Sequence, residues 1–222
     1  MTDLFLRAMA RFLAGILLTG LLLFLPAGTF SFWQAWLLMG ILFLPMFAAG
    51  LIMMRKNPEL LKKRLNCRES QAEQRSVILL CGLVFVLAFV SAGFSFRFGR
   101  FMLPGWVSCV SAAVFLCAYG LYAEVLRENA FLSRTVEVQE NQRVIDTGLY
   151  AVVRHPMYLS TLLLFLSMPL VLGSAVSFLI MLLYIPILAK RIRNEERVLE
   201  SGLDGYAAYK KRVRYRVIPF LW

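Results

Sequence analysis

Residues 142–158, QRVIDTGLYAVVRHPMY, gather polar, cationic and aromatic side chains at the entry to an apolar hairpin and hold the chain's one histidine. Gly148 suits a turn or a helix start, and the residue before a proline is pushed away from the helical region. His155 is therefore expected where an extended connection becomes a helix that opens at Pro156. The exposed amides of that first turn can receive an anion, with Arg154 and His155 beside a carboxylate or phosphate at the edge of a hydrophobic phase. The plainer alternative has Arg154 marking the cytoplasmic end of a span and His155 capping a helix. Further on, Arg191 and Glu195 are four apart and share a helix face. They present a charged pair near the membrane end of that helix, or no more than an exposed salt bridge.

The elements that must position these residues follow from composition. A 222-residue chain that is 60% hydrophobic, with a mean hydropathy of +0.71, is an integral membrane protein rather than a soluble domain. A net charge of +11 raises the question of nucleic acid. The basic residues flank apolar runs, however, where membrane orientation signals lie, so membrane lipids are the expected partners and nucleic acid is not. The cysteines show no CxxC pairing, and Cys81, Cys109 and Cys117 fall inside apolar runs, so neither metal nor disulfide roles are expected.

In chain order, a first span is expected at about 12–25, lengthened by residues 4–10, and a second at 32–54, opened by Trp33 and Trp36 as interfacial anchors. Residues 55–75 are strongly basic. Leu60, Leu61 and Leu65 with Lys62, Lys63 and Arg64 suggest an amphipathic helix along the headgroups, serving as an orientation signal and anionic-lipid contact or as a gate for a lipid-like substrate. Third and fourth spans follow at 76–96 and 106–126, and Glu124 near the end of the fourth is a functional candidate unless it simply reaches water. A long polar connection then leads to two apolar runs, 157–172 and 174–189, separated by Gly173 and read as a helical hairpin kinked at Pro169 and Pro186.

With six crossings, every Lys and Arg except Arg97 and Arg100 falls on one side. The positive-inside rule then puts both termini and the candidate site in the cytoplasm. The fold expected is all-α and polytopic: a four-span region over 1–126, then a region over 127–222 holding the hairpin and cytoplasmic cofactor-binding segments. The last segment, with Tyr206, Tyr209, Tyr215 and Trp222 among basic residues, reads as interfacial.

The segments GLYAVVRHPMYLS, RIRNEERVLE, GYAAYKKRV and IPFLW, in this order, closely resemble the isoprenylcysteine carboxyl methyltransferase family and its bacterial relatives over about residues 130–222. The resemblance implies an integral-membrane methyltransferase that uses S-adenosyl-L-methionine on a lipophilic or prenylated acceptor, with isoprenylcysteine-type carboxyl O-methylation as the expected reaction and no metal. It further implies that the cofactor is held by Gln142, Arg143, Val144 and Ile145, by Tyr150, by His155, Pro156, Met157 and Tyr158, and by Glu195. Arg191 corresponds to the family's substrate-side arginine, and Arg154 or His155 would take the cofactor carboxylate. Ser160 stands where relatives often have glycine, and Gln142 where histidine is common. The same architecture is similar to phospholipid and methanethiol methyltransferases and to the cofactor half of membrane sterol reductases. Phospholipid or thiol methylation, an NADPH-dependent reductase and a non-catalytic membrane scaffold therefore stand as alternatives. The glycine-rich fingerprint of soluble Rossmann methyltransferases is missing, so the site is expected to be built from helix ends and loops.

Overall fold

Apolar runs with a helical period, broken by Pro, Gly and basic turns, fold as helices that satisfy their own backbone groups, the arrangement a lipid environment demands. The computed structural model describes residues 2–56, 58–65, 72–129, 131–132 and 138–222. Its helices are α1 (Thr2–Ala27), α2 (Trp33–Lys56), α3 (Pro58–Leu65), α4 (Ala72–Phe98), α5 (Gly105–Glu128), α6 (Pro156–Val171), α7 (Ala175–Met181), α8 (Tyr184–Gly202) and α9 (Tyr206–Arg212), with a 3₁₀ turn at Gly148–Ala151. Among the described residues no strand forms. Met102 and Ser174 make an isolated bridge.

Among the described residues five helical stretches are long and apolar enough to cross a membrane: Leu4–Ala27, Trp33–Lys56, Gln74–Phe98, Gly105–Glu128 and, taking α7 and α8 together, Ala175–Gly202. The chain is an integral, multi-pass membrane protein. The reading of six crossings counts α6 as well, which is shorter at 16 residues. Its far end still reaches the turn between α4 and α5, where Leu103 N donates to Gly173 O at 2.7 Å and Ala175 N to Phe101 O at 3.0 Å. The hairpin thus runs the length of the bundle.

Two details depart from the sequence reading. The run 174–189 breaks into α7 and α8, because Pro186 has no N–H to offer Leu182. The chain there tightens to i→i+3 bonds, Leu183 N to Ile180 O and Ile185 N to Leu182 O, both at 3.1 Å. Helix α4 also starts at Ala72, several residues before its apolar run, since good helix formers extend a span past the hydrocarbon edge. Trp33 and Trp36 are exposed as anchors should be. Residues 66–71 of the basic segment, the side chains of Leu60, Lys63 and Arg64, and residues 130 and 133–137 of the long connection lie outside the described residues.

Leu23, Phe32, Ala35, Leu38, Ala92, Phe115, Val171 and Leu172 form the buried core where α1, α2, α4, α5 and α6 meet. A Cβ at Gly93 would sit 2.6 Å from Leu23 O, so glycine is what lets α1 and α4 approach backbone to backbone. A second cluster, around Val84, Ala88, Met181, Tyr184, Leu188 and Ile192, packs α4 on the α7–α8 arm. These contacts bring the polar ends of α4, α5, α6 and α8 together.

Candidate functional site

The 3₁₀ turn that carries Tyr150 is seized by the end of α5. Gly148 has φ +53°, and a Cβ there would lie 1.7 Å from Glu128 Oε1, so the carboxylate occupies the space a side chain would fill. Glu128 accepts the Leu149 amide at 3.1 Å through Oε2. Asn129 Nδ2 donates to the Tyr150 hydroxyl at 2.9 Å, and the Tyr209 hydroxyl donates to Tyr150 O at 2.7 Å. Tyr150 is consequently buried and held from two sides, by the end of α5 and by α9.

His155 is the residue before α6, with φ −129° and ψ 62°, and Pro156 opens the helix, as the residue types predict. Arg154 N and His155 N donate to Tyr215 O and Arg216 O at 2.9 and 2.8 Å, which moors the C-terminal segment across the start of α6. The anion that Arg154 meets belongs to the protein. Its Nε and Nη2 lie 2.8 and 2.7 Å from Glu196 Oε1, and its Nη1 donates to Val213 O at 2.7 Å and Arg214 O at 2.8 Å. His155 Nε2 is 3.3 Å from the same Oε1, and Arg216 Nε donates to Glu196 Oε2 at 3.0 Å. One buried carboxylate thereby ties α8 to the start of α6 and to the C-terminal segment.

One residue earlier on α8, Glu195 points to a different neighbour. The Tyr158 hydroxyl donates to Glu195 Oε2 and accepts from Arg191 Nε at 2.9 Å. Arg191 Nη1 in turn donates to Gln74 Oε1 at 3.2 Å. His155 Nδ1 is 3.9 Å from Glu195 Oε1, with its ring 5.6 Å from that of Tyr158. Arg191 and Glu195, one turn apart, thus meet on a single phenol.

Tyr150, Arg154, His155, Tyr158, Arg191 and Glu195 line one cavity of about 970 Å³, at the upper end of the range of small-molecule sites, about 300–1,000 Å³, while Gln74, Glu128 and Glu196 lie behind its wall. Of the expected cofactor residues, Gln142, Arg143, Val144, Ile145, Tyr150, His155, Met157, Tyr158 and Glu195 are in its wall, together with Arg154 and Arg191. Pro156 is buried and is not part of its lining. Away from these polar groups the wall turns apolar, with Phe12, Met46, Phe47, Phe85, Phe115 and Phe165. Glu124 lies outside the lining, paired with Arg127 Nε at 2.8 Å on the exposed face of α5.

Several contributors were not apparent from the residue pattern. Glu196 is adjacent to the expected glutamate but turned about 100° around the helix. Glu128 and Asn129 close α5, and Gln74 sits in the polar first turns of α4. Tyr206, read as interfacial, lines the cavity with its buried hydroxyl unpartnered among the described residues. Burial, and then the charges of Glu196 and Glu195, push its phenol well above the usual tyrosine range. Among the described residues no group of three or more His, Cys, Asp or Glu could hold a metal ion.

Comparison with known proteins adds two findings. Residues 109–201 match the model of the Isoprenylcysteine carboxyl methyltransferase (ICMT) family. A stretch of 91 residues, 40% of this chain, is 30% identical to Delta(14)-sterol reductase TM7SF2 of Mus musculus, and covers 22% of that protein's length.

Proposed function

We propose, from the match of residues 109–201 to the isoprenylcysteine carboxyl methyltransferase family, that this chain is an S-adenosyl-L-methionine-dependent methyltransferase. Its acceptor is a lipophilic molecule, and the leading reaction is carboxyl O-methylation of an isoprenylcysteine-type substrate. The observation that carries this reading is the continuity of one cavity, polar and aromatic beside α8 and apolar between α1, α2, α5 and α6. A charged nucleoside and a greasy acceptor need such adjoining halves.

The residues present fit the cofactor. Glu195 offers a carboxylate for ribose hydroxyls or an ammonium, Tyr150 and Tyr158 offer aromatic faces, and the segment Gln142–Ile145 lines the same wall. When bound, the cofactor supplies an electrophilic methyl group on a sulfonium centre. The chain's own task is to hold donor and acceptor in line and keep water out, which accounts for much of the acceleration in such a transfer. Arg191 orients an anionic acceptor. Arg154, with its guanidinium engaged by Glu196 and two carbonyls, acts as a positioning residue that fixes His155 and the C-terminal segment. A carboxylate acceptor attacks as the anion, so no catalytic base is required. The positive-inside bias supports a cytoplasmic site and cytoplasmic termini.

The stretch similar to the sterol reductase favours one second reading, a nicotinamide-dependent membrane reductase. Incubation of the detergent-solubilised protein with methyl-labelled S-adenosylmethionine and an S-farnesylated cysteine derivative separates the two. The expected product is a labelled ester released by mild alkali. Absence of label, together with binding of NADPH and not of S-adenosylmethionine, would replace the methyltransferase reading by the reductase.

A further inference from the structure

We propose that residues 213–222 form a hook that docks on an anionic lipid surface, with Phe220 and Leu221 set among acyl chains and Arg214 against headgroup phosphates, and that this contact steadies Arg154 and His155. The lipid contact rests on the chain being a membrane protein. Only its effect on S-adenosylmethionine rests on the methyltransferase reading above.

The base of the hook is buried. Val217 is 1% exposed and, with Ile218 and Trp222 beside it, joins the cluster of Val84 and Ala88 on α4 and Tyr184, Leu188 and Ile192 on α8. Both helices belong to stretches apolar enough to cross a membrane, and they leave Leu83, Leu87 and Ile185 exposed to the lipid around the bundle. The amides of Arg216, Val217 and Ile218 all donate to Trp222 O, at 3.0, 3.0 and 3.1 Å. The Arg216 guanidinium lies 5.4 Å from the centre of the Trp222 ring. The base is thereby closed, and the tip is held beside the apolar surface of the spanning helices.

Water does not favour that tip. Phe220 and Leu221 are 89% and 76% exposed, and Phe220 holds φ +64°, a left-handed conformation that is costly for a bulky side chain and easier for glycine or asparagine. An aromatic residue kept there against both strain and exposure calls for an apolar phase that takes its ring. The ring lies 5.2 Å from that of Tyr215, and the adjoining Arg214 is exposed and makes no ion pair among the described residues. By contrast, Lys210, Arg212 and Arg216 are paired with Glu200, Asp146 and Glu196. A free cation beside two large apolar side chains matches the boundary between anionic headgroups and acyl chains. A protein partner would have to be both acidic and greasy there, whereas the bilayer that holds the neighbouring helices already is.

The same backbone supports the cavity. Arg154 N and His155 N donate to Tyr215 O and Arg216 O, and Arg154 Nη1 donates to Val213 O and Arg214 O. Arg154 and His155 both line the cavity. A lipid that fixes residues 213–216 therefore fixes this part of its wall.

The test compares the full chain, one copy per nanodisc, in phosphatidylcholine and in phosphatidylcholine with phosphatidylglycerol added. Hydrogen exchange at the amides of Arg154, His155, Arg216, Val217 and Ile218 should slow with phosphatidylglycerol by up to about fivefold, the worth of one basic residue at such a surface. Affinity for S-adenosylmethionine should rise by no more than about the same factor. Arg214→Gln should abolish both responses, and Arg100→Gln, at the opposite end of the bundle, should leave them intact. Phe220→Asn tolerates the left-handed backbone and removes the ring. Its thermal midpoint in detergent should match or exceed that of the wild type, while exchange in discs quickens; a purely structural ring would lower that midpoint and overturn the wedge. Wild-type exchange that ignores phosphatidylglycerol, or an equal response in Arg214→Gln, would overturn the lipid contact and leave the face to a protein partner. Slowing seen only with two copies per disc would overturn it in favour of a second copy. Lipid-dependent exchange in a wild type that binds no S-adenosylmethionine would uphold the hook and remove the methyltransferase reading alone.

Discussion

Glu196 grips Arg154 from a single carboxylate oxygen, with Nε at 2.8 Å and Nη2 at 2.7 Å, while both side chains are almost fully buried. The pair joins α8 to the start of α6, and His155 and Arg216 share the same carboxylate. Two buried charges of this kind gain their standing from each other, so removing one strands the rest. Replacing Glu196 by Ala is expected to destabilise the protein by about 3–5 kcal/mol, the cost of breaking a buried pair. Thermal unfolding in detergent checks this. The double variant Glu196→Ala with Arg154→Ala should lose clearly less than the sum of the two single losses, because the second change removes the stranded partner.

A second expectation concerns the turn that presents Tyr150. At Gly148 a Cβ would collide with the Glu128 carboxylate at 1.7 Å, and φ is +53°. Gly148→Ala should therefore leave the bundle folded but lower affinity for S-adenosylmethionine by at least roughly tenfold, through displacement of Tyr150 by strain of order 1–3 kcal/mol. Calorimetry on the purified variant measures it. Adding Glu128→Ala relieves the collision but not the backbone strain, so affinity should recover in part.

The pH dependence can be given a sign from α9. Burial raises the phenols of both Tyr206 and Tyr209 above the ordinary tyrosine value. The folded protein holds these two protons where the unfolded chain releases them. Their contribution to stability is therefore intact below about pH 10 and is lost as pH rises from there towards the folded-state values. Unfolding temperatures measured from pH 8 to 11 should fall above pH 10. Absorbance of tyrosinate should show these two side chains ionising only as the protein unfolds. Tyr206→Phe should flatten the fall.

Much of the fold could be read from residue order alone, and the reasons are local. Hydropathy marks α1, α2, α4 and α5 because each is a continuous apolar run bounded by basic or Pro-Gly turns. Arg191 and Glu195 were recognisable as a pair because a separation of four guarantees a common helix face, and here they meet on Tyr158. His155 before Pro156 similarly declares a helix start. Tertiary relations had no such signature. The contacts of Gln74 with Arg191, of Glu128 with Leu149 and of Glu196 with Arg154 span 117, 21 and 42 positions. Nothing in the intervening residues announces them. Glu124, the candidate at membrane depth unless it simply reaches water, pairs with Arg127 on the exposed face of α5, whereas Glu128 at the helix end holds the turn that carries Tyr150.

The roles proposed for Arg191 on the acceptor side and for Glu195 and Tyr150 on the cofactor side make a further prediction. Arg191→Ala should retain binding of S-adenosylmethionine within a few-fold while turnover falls by two or more orders of magnitude, as expected when an orienting contact to the acceptor is lost. Parallel calorimetry and methyl-transfer rates check it.

The central claim is that residues from 142–158 and from α8 enclose one S-adenosylmethionine site, with Glu195 as its carboxylate. Isothermal calorimetry with wild type and Glu195→Ala tests it most directly. The wild type should bind S-adenosylmethionine with a Kd on the order of micromolar, about 8 kcal/mol, and the variant should show no measurable heat while keeping its unfolding temperature. Equal binding by the two proteins would contradict the account.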